Sequence, residues 1–384
     1  MRAAAARCAR GVGPAPLRRG PRRRRRARPL SSCVAEEACA PEYASSAAAL
    51  ADAAGDVDAD VLYVVGGLYG NGLALAALEA ALRDEARAVA AAGGALAVCF
   101  NGDFNFFNAT PEAWRDVNAR VRAFGATAGC ASVATFGNVE VEVARDIETR
   151  AAAAGCGCAY PAYVGADFAG RAAAIVNDLR SAARRADDAA AVAWLRSLPA
   201  HATFRVGGAR VAALHGDPTC VNGWRLAAEH VRDPRGPPFN RAPPGAPATD
   251  LADVAGWFED GACDVFAASH TCLPFLQEAA PGKILANNGA GGMANFAGDA
   301  RGLATRVAAA GAPPSRLAAP LYGAALPGGA TVDAVPVPFD VGAYLAAFDA
   351  TWPRGSPAAV SYRDRLAGGV ADWTPDDADR CRRA

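Results

Sequence analysis

The sequence predicts an α/β fold with mixed sheets. From about residue 58, short apolar runs rich in valine and aromatic residues alternate with stretches of helical spacing. One pair of runs, 203–206 and 210–215, flanks Gly207-Gly208 and reads as a hairpin. A hairpin between alternating strands and helices points to mixed rather than purely parallel sheets. In order, residues 60–66 (DVLYVVG) read as a buried strand closed by glycines. Residues 73–91 space Leu75, Leu78 and Leu82 as a helix does. Residues 95–101 and 131–136 give two further strands, and 140–154 and 167–197 look helical. Six prolines within 234–247 mark a surface loop, 232–250, ahead of a helix near 250–259. Strands at 264–269, 284–287 and 331–337 and a helix near 343–350 complete the pattern. No internal repeat is present.

Composition narrows the function. The chain has 384 residues, 52% hydrophobic and 20% charged, with mean hydropathy +0.07. That suffices for a sizeable core, and no apolar run is long enough to predict a membrane span. A formal net charge of zero hides an asymmetry. Residues 1–34 carry eleven arginines and no acid, leaving 28 basic and 39 acidic side chains in the rest. An acidic body argues against nucleic acid as its partner. The Arg-rich head predicts a plastid or mitochondrial transit peptide; a basic arm or a plain low-complexity tail are the other readings, and without an organelle address the protein is expected in the cytoplasm. Residues 35–57 read as a linker. The single lysine, Lys283, is followed by Ile284, which excludes a P-loop. Neither a kinase Val-Ala-Ile-Lys strand nor a Gly-x-Ser-x-Gly elbow occurs. Eleven scattered cysteines without a Cys-x-x-Cys pair suggest reduced, mostly buried thiols; Cys156-Gly157-Cys158 is a weak metal signal.

Each strand ends in glycine and polar residues: Gly66-Gly67-Leu68-Tyr69-Gly70-Asn71, Asn101-Gly102-Asp103, Gly137-Asn138-Val139-Glu140, His215-Gly216-Asp217, Ser269-His270-Thr271-Cys272 and Asn287-Asn288-Gly289. Ligands gather at the carboxyl ends of strands in α/β sheets. Asp103, Asn138, His215 and His270 offer an oxygen and nitrogen set suited to Mn, Fe or Zn. Taken singly, these residues also read as turn residues, caps or half-buried histidines. Phe104, Phe106, Phe107, Trp224 and Phe275 lie near these motifs as pocket or core residues.

This order of motifs over residues 60–295 resembles the calcineurin-like metallophosphoesterase family. The resemblance implies a four-layer α/β/β/α sandwich spanning 58–345, with 346–384 as a C-terminal extension packing on it or trailing it. It implies metal-dependent hydrolysis of a small phosphoester by one or two divalent ions, with Asp103, Asn138, His215 and His270 as ligands. Asn105, Glu140 and His270 are implied as catalytic, and Asn71 and Asn288 as substrate-binding. The departures fall on one side. Gly67, Tyr69 and Cys272 stand where the family carries first-metal ligands, and Val139 stands where relatives carry a histidine that looks like the proton donor. One metal with its activated water is therefore expected, with Tyr69 and Cys272 either as substitute ligands or as simple replacements. An inactive binding or regulatory protein on the same scaffold is the alternative. A nucleotide-cofactor oxidoreductase is more remote: Gly66, Gly70 and Gly72 resemble a short-chain dehydrogenase fingerprint, but the Tyr-x-x-x-Lys that chemistry needs is missing, since Ala279 precedes Lys283 by four.

Overall fold

Two six-stranded mixed sheets pack face to face with helices outside them. The computed structural model describes residues 43–382 except 54, 146–159 and 234–241. The Arg-rich head, residues 35–42 of the expected linker, Cys156, Cys158 and three of the six clustered prolines lie outside the described residues. The first sheet has the order β11-β12-β10-β2-β3-β4, from β2 (Val61–Val65), β3 (Leu96–Asn101), β4 (Ala131–Thr135), β10 (Gly302–Ala308), β11 (Tyr322–Ala325) and β12 (Thr331–Val337). The second has the order β1-β5-β6-β7-β9-β8, from β1 (Val57–Ala59), β5 (His201–Val206), β6 (Ala209–Leu214), β7 (Val265–Ala268), β8 (Phe275–Ala280) and β9 (Lys283–Asn287). Strands β2, β3 and β4 run parallel to one another, as do β6, β7 and β9. The glycine pair at 207–208 closes the antiparallel β5–β6 hairpin.

Side-chain alternation assigns the faces. Val61, Tyr63 and Val65 pack with α2 (Gly72–Ala91) and α3 (Pro111–Ala128), while Leu62 and Val64 join the core between the sheets. Both faces of β2 are buried, so it reads as one apolar run. On the other side, α7 (Leu251–Gly261) stacks Phe258 on Phe266 of β7, with ring centroids 4.0 Å apart. The chain switches sheets at Asp60, between β1 and β2, of which the sequence predicts only the second.

The sequence missed several elements. Residues 43–57 are no linker: α1 (Ala47–Ala51) buries Ala47 and Leu50, and β1 pairs with β5. Helix α3 starts on Thr110, whose hydroxyl caps Ala113 N, with Pro111 in its first turn. The helix expected at 140–154 is a short α4 (Asn138–Glu140) running into a π turn, Val141–Arg145, as far as the described residues go. Beyond lie α5 (Ala166–Ala186) and α6 (Ala189–Ser197). After α8 (Val341–Thr351), the C-terminal segment carries α9 (Pro357–Gly368) and α10 (Pro375–Ala378). It is bound to the domain: Trp352 Nε1 donates to Phe107 O and Trp373 Nε1 to Pro274 O, both at 3.0 Å. Cys99, Cys263 and Cys272 are buried free thiols, but Cys220 is disulfide-bonded, which departs from the expected fully reduced set. No described helix is long and apolar enough to cross a membrane.

The central strand β10 carries a buried charge. Arg306 pairs with Glu85 of α2 at 3.0 Å, both almost fully enclosed. Removing one partner strands a buried charge, so Arg306→Met is expected to destabilise the fold by about 3–5 kcal/mol in urea denaturation. The double variant with Glu85→Gln is expected to lose clearly less than the sum of the single changes.

Candidate metal centre

The carboxyl ends of the parallel strands of both sheets meet at Asn101. Its Nδ2 donates to the carbonyls of Leu214 (2.9 Å) and Ala267 (3.2 Å) and to Ser269 Oγ (2.8 Å). Its Oδ1 accepts from Thr135 Oγ1 at 2.9 Å, and its backbone carbonyl accepts from His215 Nδ1 at 2.8 Å. One residue thus ties the ends of β3, β4, β6 and β7. Because the Asn101 carbonyl can only accept, Nδ1 of His215 carries the proton and Nε2 is left to face the site.

Around that Nε2 the acceptors crowd. Asp103 Oδ1 lies at 3.4 Å and Asn138 Oδ1 at 3.2 Å. Ligand atoms of Asp103, His215 and His270 all fall within 4.8 Å of one another, the one such cluster among the described residues. Both ring nitrogens of His270 are buried and have no hydrogen-bond partner among the described residues. Buried imidazole nitrogens left unsatisfied are costly. Carboxylate, amide and imidazole ligand atoms converging in this way fit a cation, and the O/N set suits a divalent ion such as Mn, Fe or Zn. Gly137 keeps the space open: a Cβ there would stand 2.5 Å from Asp103 Oδ1 and 2.8 Å from His215 Nε2.

The charges follow. Burial alone would raise Asp103, but His215 outweighs it by charge and hydrogen bond and holds the carboxyl below its usual range. Burial alone would lower His215, but the Asp103 carboxylate outweighs it and raises the imidazole above 6.5. Burial, reinforced by His215, pushes His270 down to about 3, so it stays neutral and available as a ligand.

The neighbouring positions are filled by protein. A Cβ on Gly67 would meet the Tyr69 ring at 2.4 Å, so the ring occupies the space a larger side chain would need. The Tyr69 hydroxyl lies 2.6 Å from Cys272 Sγ and donates to Asp103 Oδ2 at 3.5 Å. Burial pushes the Cys272 thiol up to about 11 and the Tyr69 phenol well above its ordinary value. Both are protonated at neutral pH and bonded to each other, and Cys272 is not part of the ligand cluster. Tyr69, Asp103 and Cys272 all adopt left-handed backbone, φ 52°, 57° and 53°. Three strained non-glycine residues at one point are the kind of cost that functional sites carry.

The other expected site residues stand elsewhere. Glu140 accepts from the amides of Asp103 (2.7 Å), Phe104 (2.9 Å) and Gly137 (2.9 Å), clamping the loops after β3 and β4. Burial, with the Asp103 charge, lifts its carboxyl to about 7. Asn105 is held in a chain with Asn108 and Asn118. Asn71 caps α2 through Leu73 N and Ala74 N and donates to Gly292 O. Asn288 is buried and donates to Ser269 Oγ at 3.0 Å. None of these four lines the cavity of about 120 Å³ that opens onto Asp103, Asn138 and His270. Phe106 and Trp224 do line it, whereas Phe104, Phe107 and Phe275 are core. Val139 lines the wall, and Tyr362 and Arg365 of α9 face in from the C-terminal segment. Sequence reasoning missed both α9 residues and the structural part played by Asn101. The three-residue spacing of Tyr362 and Arg365 places both on one face of α9 but carries no signal of which cavity that face meets.

No family model matches the chain, and a search of curated proteins finds no match. Solved structures with a similar course of chain are found at low identity. A metallophosphoesterase from Sphaerobacter thermophilus is 17% identical, with a TM-score of 0.42 over 81% of this chain and 100% of its own. A hypothetical protein from Pyrococcus horikoshii OT3 is 13% identical, with a TM-score of 0.48 over 82% of this chain and 99% of its own. Vacuolar Protein Sorting 29 from Cryptosporidium parvum is 11% identical, with a TM-score of 0.31 over 72% of this chain and 97% of its own. The architecture rests on the sheet order above rather than on these likenesses.

Gly137→Ala is expected to force Asp103 and His215 apart and to destabilise the fold by about 1–3 kcal/mol, read as a lower urea midpoint at unchanged slope.

Proposed function

We propose that the chain is a metal-dependent phosphoester hydrolase working with one divalent cation, held by Asp103, Asn138, His215 and His270. The observation that carries this reading is the cluster of three ligand atoms, with both His270 nitrogens buried and unpartnered among the described residues. A divalent ion bound there lowers the pKa of a coordinated water toward about 7 and polarises a phosphoryl oxygen. The chain's own residues do the rest. Asn101 fixes the His215 tautomer and so aims Nε2. Glu140 positions the Asp103 loop through three amides. The aromatic wall of the cavity excludes water around the ester.

Val139 offers no proton to a leaving group, and the Tyr69 ring fills the space above Gly67. Losing a general acid removes roughly 10²–10⁴-fold. Turnover is therefore expected only on esters with good leaving groups. The Tyr69 plug also supports a second reading, a metal-binding protein on this scaffold without turnover.

Elemental analysis of purified protein is expected to give one divalent ion per chain, with weak hydrolysis of p-nitrophenyl phosphate in Mn²⁺. Asp103→Ala and His215→Ala are each expected to abolish both. Metal retained in both variants contradicts the ligand assignment; metal bound without hydrolysis of either p-nitrophenyl phosphate or its bis-ester favours the second reading.

Metal affinity is expected to depend on pH with a definite sign. His215 has its proton affinity raised above 6.5, so below that raised value a proton at Nε2 competes with the ion. Calorimetric titration with Mn²⁺ should show affinity falling roughly tenfold per pH unit on the acid side, with release of a proton on binding. Asp103, held low, stays ionised throughout this range.

A further inference from the structure

Arg365 reaches the cavity from α9, far in sequence from the motif residues. It is the one cationic side chain among the described residues that line the cavity. Its Nη2 donates to Cys272 O at 2.7 Å and its Nε to Ala294 O at 3.3 Å. Those two bonds fix the guanidinium plane against the loop that follows His270. Among the described residues it has no carboxylate partner, so its charge is not neutralised by an ion pair. Glu229, whose carboxyl is raised by burial, feels the guanidinium but forms no ion pair with it among the described residues. The field of Arg365 also reaches the Tyr69 phenol and the Cys272 thiol. These are the two side chains standing where the family resemblance places ligands of a first metal.

We propose that Arg365 binds the phosphoryl group of the substrate and supplies the positive charge that a first metal would give at Tyr69 and Cys272. The proposal rests on the hydrolase reading for the nature of the substrate, and it commits to a class: dianionic phosphate monoesters over monoanionic diesters. A fixed guanidinium adds a charge-assisted hydrogen bond, which gains most with the more highly charged anion. Tyr362, one turn earlier on the same helix, walls the cavity together with Phe168 and Phe106, ring centroids 5.7 and 5.6 Å from it. The ester's organic group would lie against this apolar side and its phosphoryl group against Arg365 and His270.

The test is calorimetric titration of orthophosphate into the full chain, metal-free and Mn²⁺-loaded, for the wild type, Arg365→Gln and Arg365→Lys. Glutamine keeps donors for the backbone carbonyls and removes the charge; lysine keeps the charge. Phosphate affinity is expected to fall about ten- to a hundred-fold in R365Q, to stay within about threefold of wild type in R365K, and metal content to be unchanged in both. The ratio of kcat/KM for p-nitrophenyl phosphate to that for its bis-ester, which does not depend on the fraction folded, should drop at least about tenfold in R365Q. Wild-type phosphate affinity or an unchanged ratio in R365Q overturns the proposal, as does equal weakening in R365Q and R365K. A wild type that binds no phosphate in either state overturns it too. A wild type that binds no metal but loses its phosphate affinity in R365Q sinks the hydrolase reading and leaves the anion site standing.

Discussion

The side chain of Asn101 is the constraint from which the site follows. Its amide hydrogens are shared among acceptors at the ends of β6 and β7, while its oxygen holds Thr135 at the end of β4. Hydrophobic packing between the sheets is non-directional and would tolerate small slides. A buried amide with its partners on both sheets does not, because each lost bond leaves a polar group stranded. Register between the two sheets is thereby set at the point where Asp103, His215 and His270 emerge. The same residue's carbonyl chooses the His215 tautomer. Architecture and ligand chemistry share one anchor.

What emerges is an asymmetric centre. On one side acceptors face each other across a gap kept open by Gly137. On the other, the space is taken by the Tyr69 ring, with its hydroxyl on Cys272 and Asp103. The buried Asp103 carboxylate faces both sides, and both rely on a left-handed backbone to turn side chains inward. Burial raises both the Tyr69 phenol and the Cys272 thiol, and the left-handed backbone at the two residues brings their side chains together beside Asp103.

Much of this was legible in sequence because strand ends announce themselves. Short apolar runs closing on glycine placed β2, β3 and β4, and the glycine pair at 207–208 placed the hairpin. The histidines stood out by scarcity. What escaped did so for physical reasons. Strand β10 hides because Arg306 interrupts its apolar run, and only the partner Glu85, 221 residues away, makes that arginine a core residue. Helix α3 carried Thr110, Pro111 and a spacing of Trp114, Val117, Val121 and Phe124 that was there to be read. Residues 43–57 looked like a linker since α1 has five residues and gains its stability from packing on the second sheet's core rather than from propensity. Glu140, Asn71 and Asn105 sat in the right motifs, but whether a carboxylate or amide faces a cavity or a row of backbone amides is decided by the loop's path. Arg365 was invisible for the same reason: no local pattern tells a helix near the C-terminus which distant cavity it will face.

The chemistry of the centre turns on one ion at one place. Crystals of the full chain soaked in Mn²⁺ and measured for anomalous scattering test it most directly. A single peak bonded to Asp103, Asn138, His215 and His270, with the Tyr69 ring still over Gly67, is the expected result. No peak among these four residues, or a second ion seated between Gly67 and Cys272 with Tyr69 swung away, would contradict it.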